Sequence, residues 1–411
     1  MTPMRWLTLI GMGEDGRDGL CPAAARLIAQ ARFVIGGARH LALLGETGAE
    51  TLVWSSPFED GIKEILARRG TEVCVLASGD PFLYGVGSLL AAHVPPEEMI
   101  CFPAPSSLSL AAARLGWALQ DCDIVSLHGR PFERIIPHLR PKAKLLVISW
   151  DAETPRRLAE LLCARRLGRS RMILLEALGG PRERLSEMRA DDFAAQSVDP
   201  LNLVAIEIEA GDDSVWIPLT PGLPDEWFET DGQITKREVR ALTLSALAPW
   251  PGACLWDIGA GSGSIGIEWM LAHPRNCAFA IEPREDRAAR IARNAAALGV
   301  PGLVVVPGSA PAALSGLPRP DAVFIGGGVT ADGLVDACWA ALPAGGRLVA
   351  NAVTIEGQSA LAGWRDRLGG ALTRIALERA DDLGTFTTWR PALPVVQWSV
   401  RKPPGPSQER P

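Results

Sequence analysis

The stretch Asp257-Ile-Gly259-Ala-Gly261-Ser262-Gly263-Ser264 constrains this chain more than any other, because it leaves the backbone so few ways to run. It lies directly after an apolar strand, Cys254–Ile258, and directly before an apolar helix. Glycines let the backbone turn tightly and approach a ligand closely. The helix that follows offers free N–H groups, which suit a carboxylate or a phosphate. In an open α/β sheet, ligands collect at such carboxyl ends of strands.

Two ligand classes compete for this loop. Gly261-Ser-Gly263-Ser-Ile-Gly266 fits the dinucleotide spacing of nicotinamide enzymes. Asp257 at the strand end would repel a pyrophosphate, yet it suits a cationic sulfonium ligand carrying an ammonium group. Glu282 ends the next strand, where it can accept both ribose hydroxyls in either class. Pro307-Gly308-Ser309-Ala310 ends a third strand and is placed to hold an adenine edge through Ser309 and Ala310. Pro320–Gly328 closes a fourth at the same rim.

At 411 residues the chain exceeds one ordinary core and calls for two or three domains. Its first half alternates apolar strands (Leu7–Gly11, Phe33–Gly36, Val73–Ala77, Ile124–Leu127, Leu145–Ser149, Met172–Glu176, Leu203–Glu207) with helices at Cys21–Ala31, Gly61–Arg69 and Ser106–Leu115. That alternation predicts α/β architecture. Residues 211–231, with Pro218, Pro221 and Pro224, read as a linker between a domain at 1–210 and one at 232–401. The second domain opens with a helix, Thr235–Leu247, and then resumes the alternation with strands Ala278–Ile281, Leu303–Val306, Ala322–Ile325 and Arg347–Ala350. Residues 402–411, Pro-rich and polar, are expected to be a disordered tail.

A net charge of −6 argues against a general nucleic-acid binder. The eight cysteines include no Cys-x-x-Cys pair, so neither a disulfide framework nor a metal site is expected. The apolar run Trp6 to Ile10 is too short for a signal peptide, and nothing approaches a membrane span. A cytoplasmic protein is expected.

The first half holds an unrelated second pattern. Leu9-Ile-Gly11-Met-Gly13-Glu14 follows the first strand, and Ala77-Ser78-Gly79-Asp80-Pro81 a later one. Pro103-Ala-Pro105-Ser106-Ser107 precedes a helix, and Ser126-Leu-His128-Gly129-Arg130 ends another strand. Each places small or turn-forming residues at a strand end, where backbones can line a cleft between two subdomains.

Together and in this order, these segments resemble the tetrapyrrole methylases over about Leu7 to Ala210. The resemblance implies a two-subdomain fold with a methyl donor in the cleft, touched by Gly11, Gly13, Ser78, Gly79, Asp80, Ser106 and Ser107. Ile148-Ser-Trp150-Asp151 departs from the family, whose members often carry Leu-Thr-Asp there. From Gly232 to about Val400, the chain resembles the precorrin-8w or cobalt-precorrin-6B decarboxylating methyltransferase domain, a Rossmann-like fold. The likeness runs through Thr235-Lys236-Arg-Glu238-Val-Arg240, the glycine loop, Phe324–Gly328 and Gly345–Val353. It implies that Thr235, Gly259, Ala260, Gly261, Ser262, Gly263, Glu282 and Ala310 touch the donor.

A chain with both domains resembles the precorrin-6Y C5,15-methyltransferase (decarboxylating) family. That implies S-adenosylmethionine at one site per domain and a polycarboxylate tetrapyrrole, precorrin-6B, as substrate. It further implies methylation at C5 by the first half, with C15 methylation and loss of the C12 acetate carboxyl by the second. Relatives of both domains form homo-oligomers, so a dimer or tetramer is expected. Basic residues should ring both clefts, and His128, Arg130, Lys236 and Arg347 are the candidates, with Arg39, His40 and Arg237 behind them. The residues alone leave two other readings open: a nicotinamide oxidoreductase, and a non-catalytic protein that retains a donor site.

Overall fold

The computed structural model describes residues 5–55, 57–194 and 197–404. The chain divides into two compact units, 1–130 with 138–215, and 131–137 with 216–411.

In the first unit, β1 (Leu7–Met12), β2 (Phe33–Gly36), β3 (Glu50–Val53), β4 (Val73–Ser78) and β5 (Met99–Phe102) form a sheet in the order β3-β2-β4-β1-β5. All its pairings are parallel. A parallel sheet with helices on both faces needs apolar residues on both sides of its strands. Here Leu7, Leu9, Val73 and Val75 enter one core, while Ile10, Met12, Cys74 and Leu76 enter the other.

A second sheet follows, built of β6 (Asp123–Ser126), β7 (Lys144–Ile148), β8 (Arg171–Glu176), β9 (Arg184–Arg189) and β10 (Asn202–Glu207) in the order β6-β7-β10-β8-β9. Only β6 and β7 run parallel. Leu108 and Ala111 of helix Ser107–Leu115 pack against Leu146, Ile173, Leu175 and Leu203 of this sheet.

The second unit carries a seven-stranded sheet. Strands β11 (Cys254–Ile258), β12 (Cys277–Glu282), β13 (Val304–Pro307), β14 (Ala322–Ile325) and β15 (Arg347–Ala352) are parallel. After β16 (Ala371–Ile375), β17 (Glu378–Leu383) and β18 (Phe386–Pro391) form a separate hairpin. Then β19 (Val395–Arg401) inserts antiparallel between β15 and β16. The order β13-β12-β11-β14-β15-β19-β16 reverses direction between β11 and β14. That reversal opens a crevice at their carboxyl ends, where the glycine loop lies.

The segment expected to be a linker is packed on the second unit from Trp216 onward. Ile217, Leu223 and Phe228 are buried, and the Gly222 and Leu223 amides donate to the Glu268 carboxylate at 2.6 and 2.9 Å. Arg240, fully buried, donates to Glu268 at 2.5 Å and to the carbonyls of Leu223 and Thr235. Proline and glycine there restrict regular structure to the short 3-10 helix Asp225–Trp227 without preventing packing. Of the expected tail, Lys402 donates to the carbonyls of Trp339 and Leu342 at 2.6 and 2.7 Å. Residues 405–411 lie outside the described residues.

Candidate active sites

In the second unit, Gly259, Gly261 and Gly263 hold φ of +69°, +61° and +77°, left-handed backbone that side chains rarely adopt. The loop is clamped from below. Its Gly261 amide donates to Glu282 Oε2 at 2.9 Å, and the Gly266 amide donates to Asp257 Oδ2 at 2.9 Å. Asp257 is 1% exposed, and its Oδ1 has no hydrogen-bond partner among the described residues. Burial, against the pull of the Gly266 amide and helped by the Glu282 charge, pushes its carboxyl up to about 7. Ser262 Oγ is also buried without a hydrogen-bond partner among the described residues.

Glu282 reaches the loop from β12, its other oxygen accepting from the Arg284 amide at 3.1 Å. β13 ends beside it, with Pro307 in register with Glu282 and the Gly308 amide on the Glu282 carbonyl at 3.2 Å. That pairing brings the Ser309–Ala310 turn to the same rim. A strap over residues 231–235 borders the loop. Arg287 donates to Asp231 and to Gln233 Oε1, each at 2.8 Å, and a Cβ on Gly261 would stand 3.6 Å from the Gln233 carbonyl. The Arg287 hydrogen bond holds the Asp231 carboxyl down at about 2. Thr235 continues this strap, half-buried.

The orphaned Asp257 oxygen and the glycine cradle fit a donor with a cationic end. Ser262 and Gly263 open the helix Ser264–Leu271, whose first amides face the loop. Lys236 stands at the N-cap position of the preceding helix, Arg237–Leu247, and pairs with Asp225 at 3.7 Å. Arg347 belongs elsewhere. It begins β15, in register with Ala322 at the amino edge of β14, and donates to the Ala246 carbonyl at 3.3 Å. The crevice lies at the opposite ends of those strands, so the expectation that Arg347 meets substrate is corrected. Strand direction, invisible in the residue itself, decides this.

In the first unit the cradle is assembled from separate loops. β1 and β4 end side by side, Met12 in register with Ser78. The Gly79 amide donates to the Met12 carbonyl at 3.0 Å, and the Ala104 amide to the Gly79 carbonyl at 3.1 Å. A Cβ on Gly11 would overlap the Gly79 carbonyl and meet Ala104 N at 2.5 Å. One on Gly79, at φ +53°, would meet Ser106 Cα at 2.9 Å. The cleft floor is therefore bare backbone.

Other expected contacts have local tasks. Ser106 Oγ caps helix Ser107–Leu115 through the Ser109 amide at 3.1 Å, and Ser107 is exposed beside it. Asp80 Oδ1 accepts from the Phe82 amide at 2.8 Å. Gly13 lies over Asp15, whose Oδ1 would stand 2.6 Å from a Cβ there.

Ser78 Oγ meets Arg39 at 3.0 Å and His40 Nε2 at 2.9 Å. Arg39 also pairs with Glu14, which Arg182 approaches at 3.5 Å. Burial first, then the Arg39 charge, pulls the His40 imidazole down to about 4, so it is neutral near pH 7. Sequence reasoning named Arg39 and His40 but missed Glu14 as their counter-charge and missed Arg182 altogether. Glu14 sits in the quoted Gly13-Glu14 motif, whereas Arg182 carries no local signal. His128 lies 5.4 Å from the Trp150 ring, and Arg130 donates to Ser126 Oγ at 3.0 Å. Among the described residues, no group of three or more His, Cys, Asp or Glu could hold a metal ion. No helix among them is long and apolar enough to cross a membrane.

Comparison with known proteins decides between the readings left open. The tetrapyrrole (corrin/porphyrin) methylases match residues 6–194, and the precorrin methyltransferase domain matches 226–402. A precorrin-6Y C5,15-methyltransferase (decarboxylating) of Sinorhizobium is 56% identical over 97% of this chain and 96% of its own length. The chain belongs to the precorrin-6Y C5,15-methyltransferase (decarboxylating) family. A member from Mycobacterium tuberculosis is 42% identical over 96% of this chain and its own full length. A cobalt-precorrin-7 C5-methyltransferase of Salmonella typhimurium is 35% identical over 44% of this chain and 88% of its own. Membership in this family sets the nicotinamide reading aside. Both matched domains are S-adenosylmethionine-binding methyltransferase domains.

Proposed function

We propose that this chain methylates a precorrin at C5 and C15 and removes the carboxyl group of its C12 acetate side chain, as a step of cobalamin biosynthesis. The observation that carries this is the presence of two differently built donor cradles in a chain 56% identical to such an enzyme over nearly its whole length. The domain at 1–210 serves C5, and that at 232–401 serves C15 and the decarboxylation, with 211–231 between them. Each holds one S-adenosylmethionine, which supplies an activated methyl group.

In the first domain Gly11, Gly13 and Gly79 present bare backbone to the donor, and Ser78, Asp80, Ser106 and Ser107 border it. In the second, Gly259, Ala260, Gly261, Ser262 and Gly263 cradle it, and Glu282 takes the ribose with lone pairs its two amide bonds leave free. Ser309 and Ala310 flank the adenine, Thr235 closes the near side, and Asp257 sets the loop and faces the cationic end. Methyl transfer to an electron-rich bridge carbon is an in-line displacement, so these residues act by positioning the partners and excluding water. In the decarboxylation, the C–CO2 bond breaks, its electron pair enters the conjugated ring, and a proton completes the methyl group left behind.

His128 and Arg130 in the first domain and Lys236 in the second pair with substrate carboxylates. The net charge of −6 disfavours general nucleic-acid binding. The protein works in the cytoplasm as a homo-oligomer, dimer or tetramer. The exposed Leu383, Phe386, Trp389 and Leu393 on and beside the β17–β18 hairpin favour such assembly.

Product mass after incubation with precorrin-6B and S-adenosylmethionine tests the reading. A gain of two methyl groups with loss of one CO2 is expected. One methyl without CO2 loss would confine activity to one domain, and an unchanged mass would refute precorrin-6B as substrate.

A further inference from the structure

Three loops of the first unit gather two aromatic rings, an imidazole and a guanidinium that the methyl-donor cradle does not use. Tyr84, in the loop after β4, holds left-handed backbone at φ +54°. L side chains avoid this conformation, and the tight fold of the loop enforces it. The Gly87 amide donates to the Pro81 carbonyl at 2.8 Å, and a Cβ on Gly85 would meet that same oxygen at 2.5 Å. The Tyr84 ring is left 51% exposed, with the Arg130 guanidinium 5.0 Å from its centroid. Arg130 follows β6, so this contact joins a loop of the first sheet to one of the second.

Trp150, in the loop after β7, is 54% exposed. Its ring lies beside His128 and 3.4 Å from where a Cβ of Gly129 would stand. Gly129, at φ +67°, lets the His128–Arg130 loop pass close to that ring. The Trp150 backbone is fixed, its amide donating at 3.1 Å to Thr154 Oγ1, and Thr154 is 1% exposed. Two nearby carboxylates turn away into their own loops, Asp80 to the Phe82 amide and Asp151 to Glu153 and Thr154. Two half-bare rings, an imidazole and a guanidinium are thus exposed together, with Phe82 and Leu83 also exposed in the loop of Tyr84. Flat apolar faces beside a guanidinium and an imidazole match a conjugated macrocycle with carboxylates at its rim.

We infer that Trp150 and Tyr84 form the seat on which the tetrapyrrole lies for C5 methylation, with Arg130 and His128 pairing its side-chain carboxylates. This rests on the assignment of C5 chemistry to the first domain. Trp150 and Tyr84 are positioning residues, since neither exchanges a bond or a proton with substrate.

The full chain tests it, with precorrin-6B and S-adenosylmethionine, in Trp150→Ala, Trp150→Phe and Tyr84→Ala variants. Trp150→Ala is expected to raise the KM for the macrocycle in C5 methylation about tenfold, the effect of losing one stacked ring. Its main product should lack one methyl group yet have lost CO2. Donor binding, read by calorimetry with S-adenosylhomocysteine, should stay within about twofold, which also certifies the fold. Trp150→Phe should recover most of the loss, and Tyr84→Ala should resemble Trp150→Ala. An unchanged macrocycle KM would overturn the inference. So would a donor affinity that falls with the ring, which would place Trp150 against the adenine. Wild-type protein that adds only the C15 methyl would instead sink the C5 assignment, and the inference with it.

Discussion

Around Gly259, Gly261 and Gly263 the room for a ligand comes from three left-handed residues within one loop. Around Gly11 a bare backbone surface comes from three separate segments pressed together, the end of β1, the turn at Gly79 and the Pro103–Ser106 segment. The first cradle is a local property of eight consecutive residues and could form whenever its strand and helix do. The second exists only once β1, β4 and the Pro103–Ser106 segment are in place. The two units should therefore fail in different ways.

The largest effect should come from the second unit's support and not from its loop. Arg240→Ala would leave the Glu268 carboxylate buried with only two amides, at a cost of about 3–5 kcal/mol. Hydrogen exchange should rise across residues 216–247 and leave the first unit protected. Protection unchanged there would mean that the Arg240–Glu268 pair does not hold the strap.

Next comes the assembled cradle. Gly11→Ala drives a methyl group into the Gly79 carbonyl and the Ala104 amide, and backbone cannot step aside as a side chain can. We expect a loss of about 3 kcal/mol in the first unit, with C5 methylation abolished and C15 methylation retained. Gly261→Ala is the sharper counterpart. Its Cβ meets nothing nearer than the Gln233 carbonyl at 3.6 Å, so only the left-handed φ is strained, at about 1–2 kcal/mol. Equal losses in the two variants, measured by denaturant unfolding with exchange to localise them, would erase the distinction between the cradles.

The last comparison is a pair of opposed pH dependences. Unfolded, His40 titrates near its ordinary 6.5, and folded it titrates at about 4, so the unfolded chain binds more protons between those values. Its contribution to the first unit is lost as pH falls from about 6.5 to 4, and His40→Gln should remove that dependence. Asp257 runs the other way. Its folded carboxyl titrates at about 7 against an ordinary 3.8, so the second unit loses stability as pH rises through that window. Asp257→Asn should flatten the slope. Slopes of the same sign in the two units would contradict the burial assigned to one of these groups.

Much of the architecture could be read from apolar spacing. The strands from β1 through β15 that run through a core announced themselves, because both faces are covered and their residues are apolar throughout. Of the edge strands, β6 and β13 could be found from their apolar residues, but others could not. β3, β9 and the β17–β18 hairpin are largely exposed, and Arg184–Arg189 or Glu378–Leu383 carry no apolar run to find. β19 escaped for another reason, since its Gln397 is buried and bonded to Thr243 and Asn351, a partner set distant in sequence.

By itself, the sequence determined the α/β class, the glycine loop at Asp257–Ser264 and the family, because those depend on residues close together along the chain. Tertiary structure alone decided that Arg347 sits at the wrong end of its strand and that the Trp216–Phe228 segment is packed. It alone brought Glu14 and Arg182 to Arg39, and Tyr84 to Arg130. Strand direction, burial and contact between distant loops are set by the closing of the sheets, and no short window of residues encodes them.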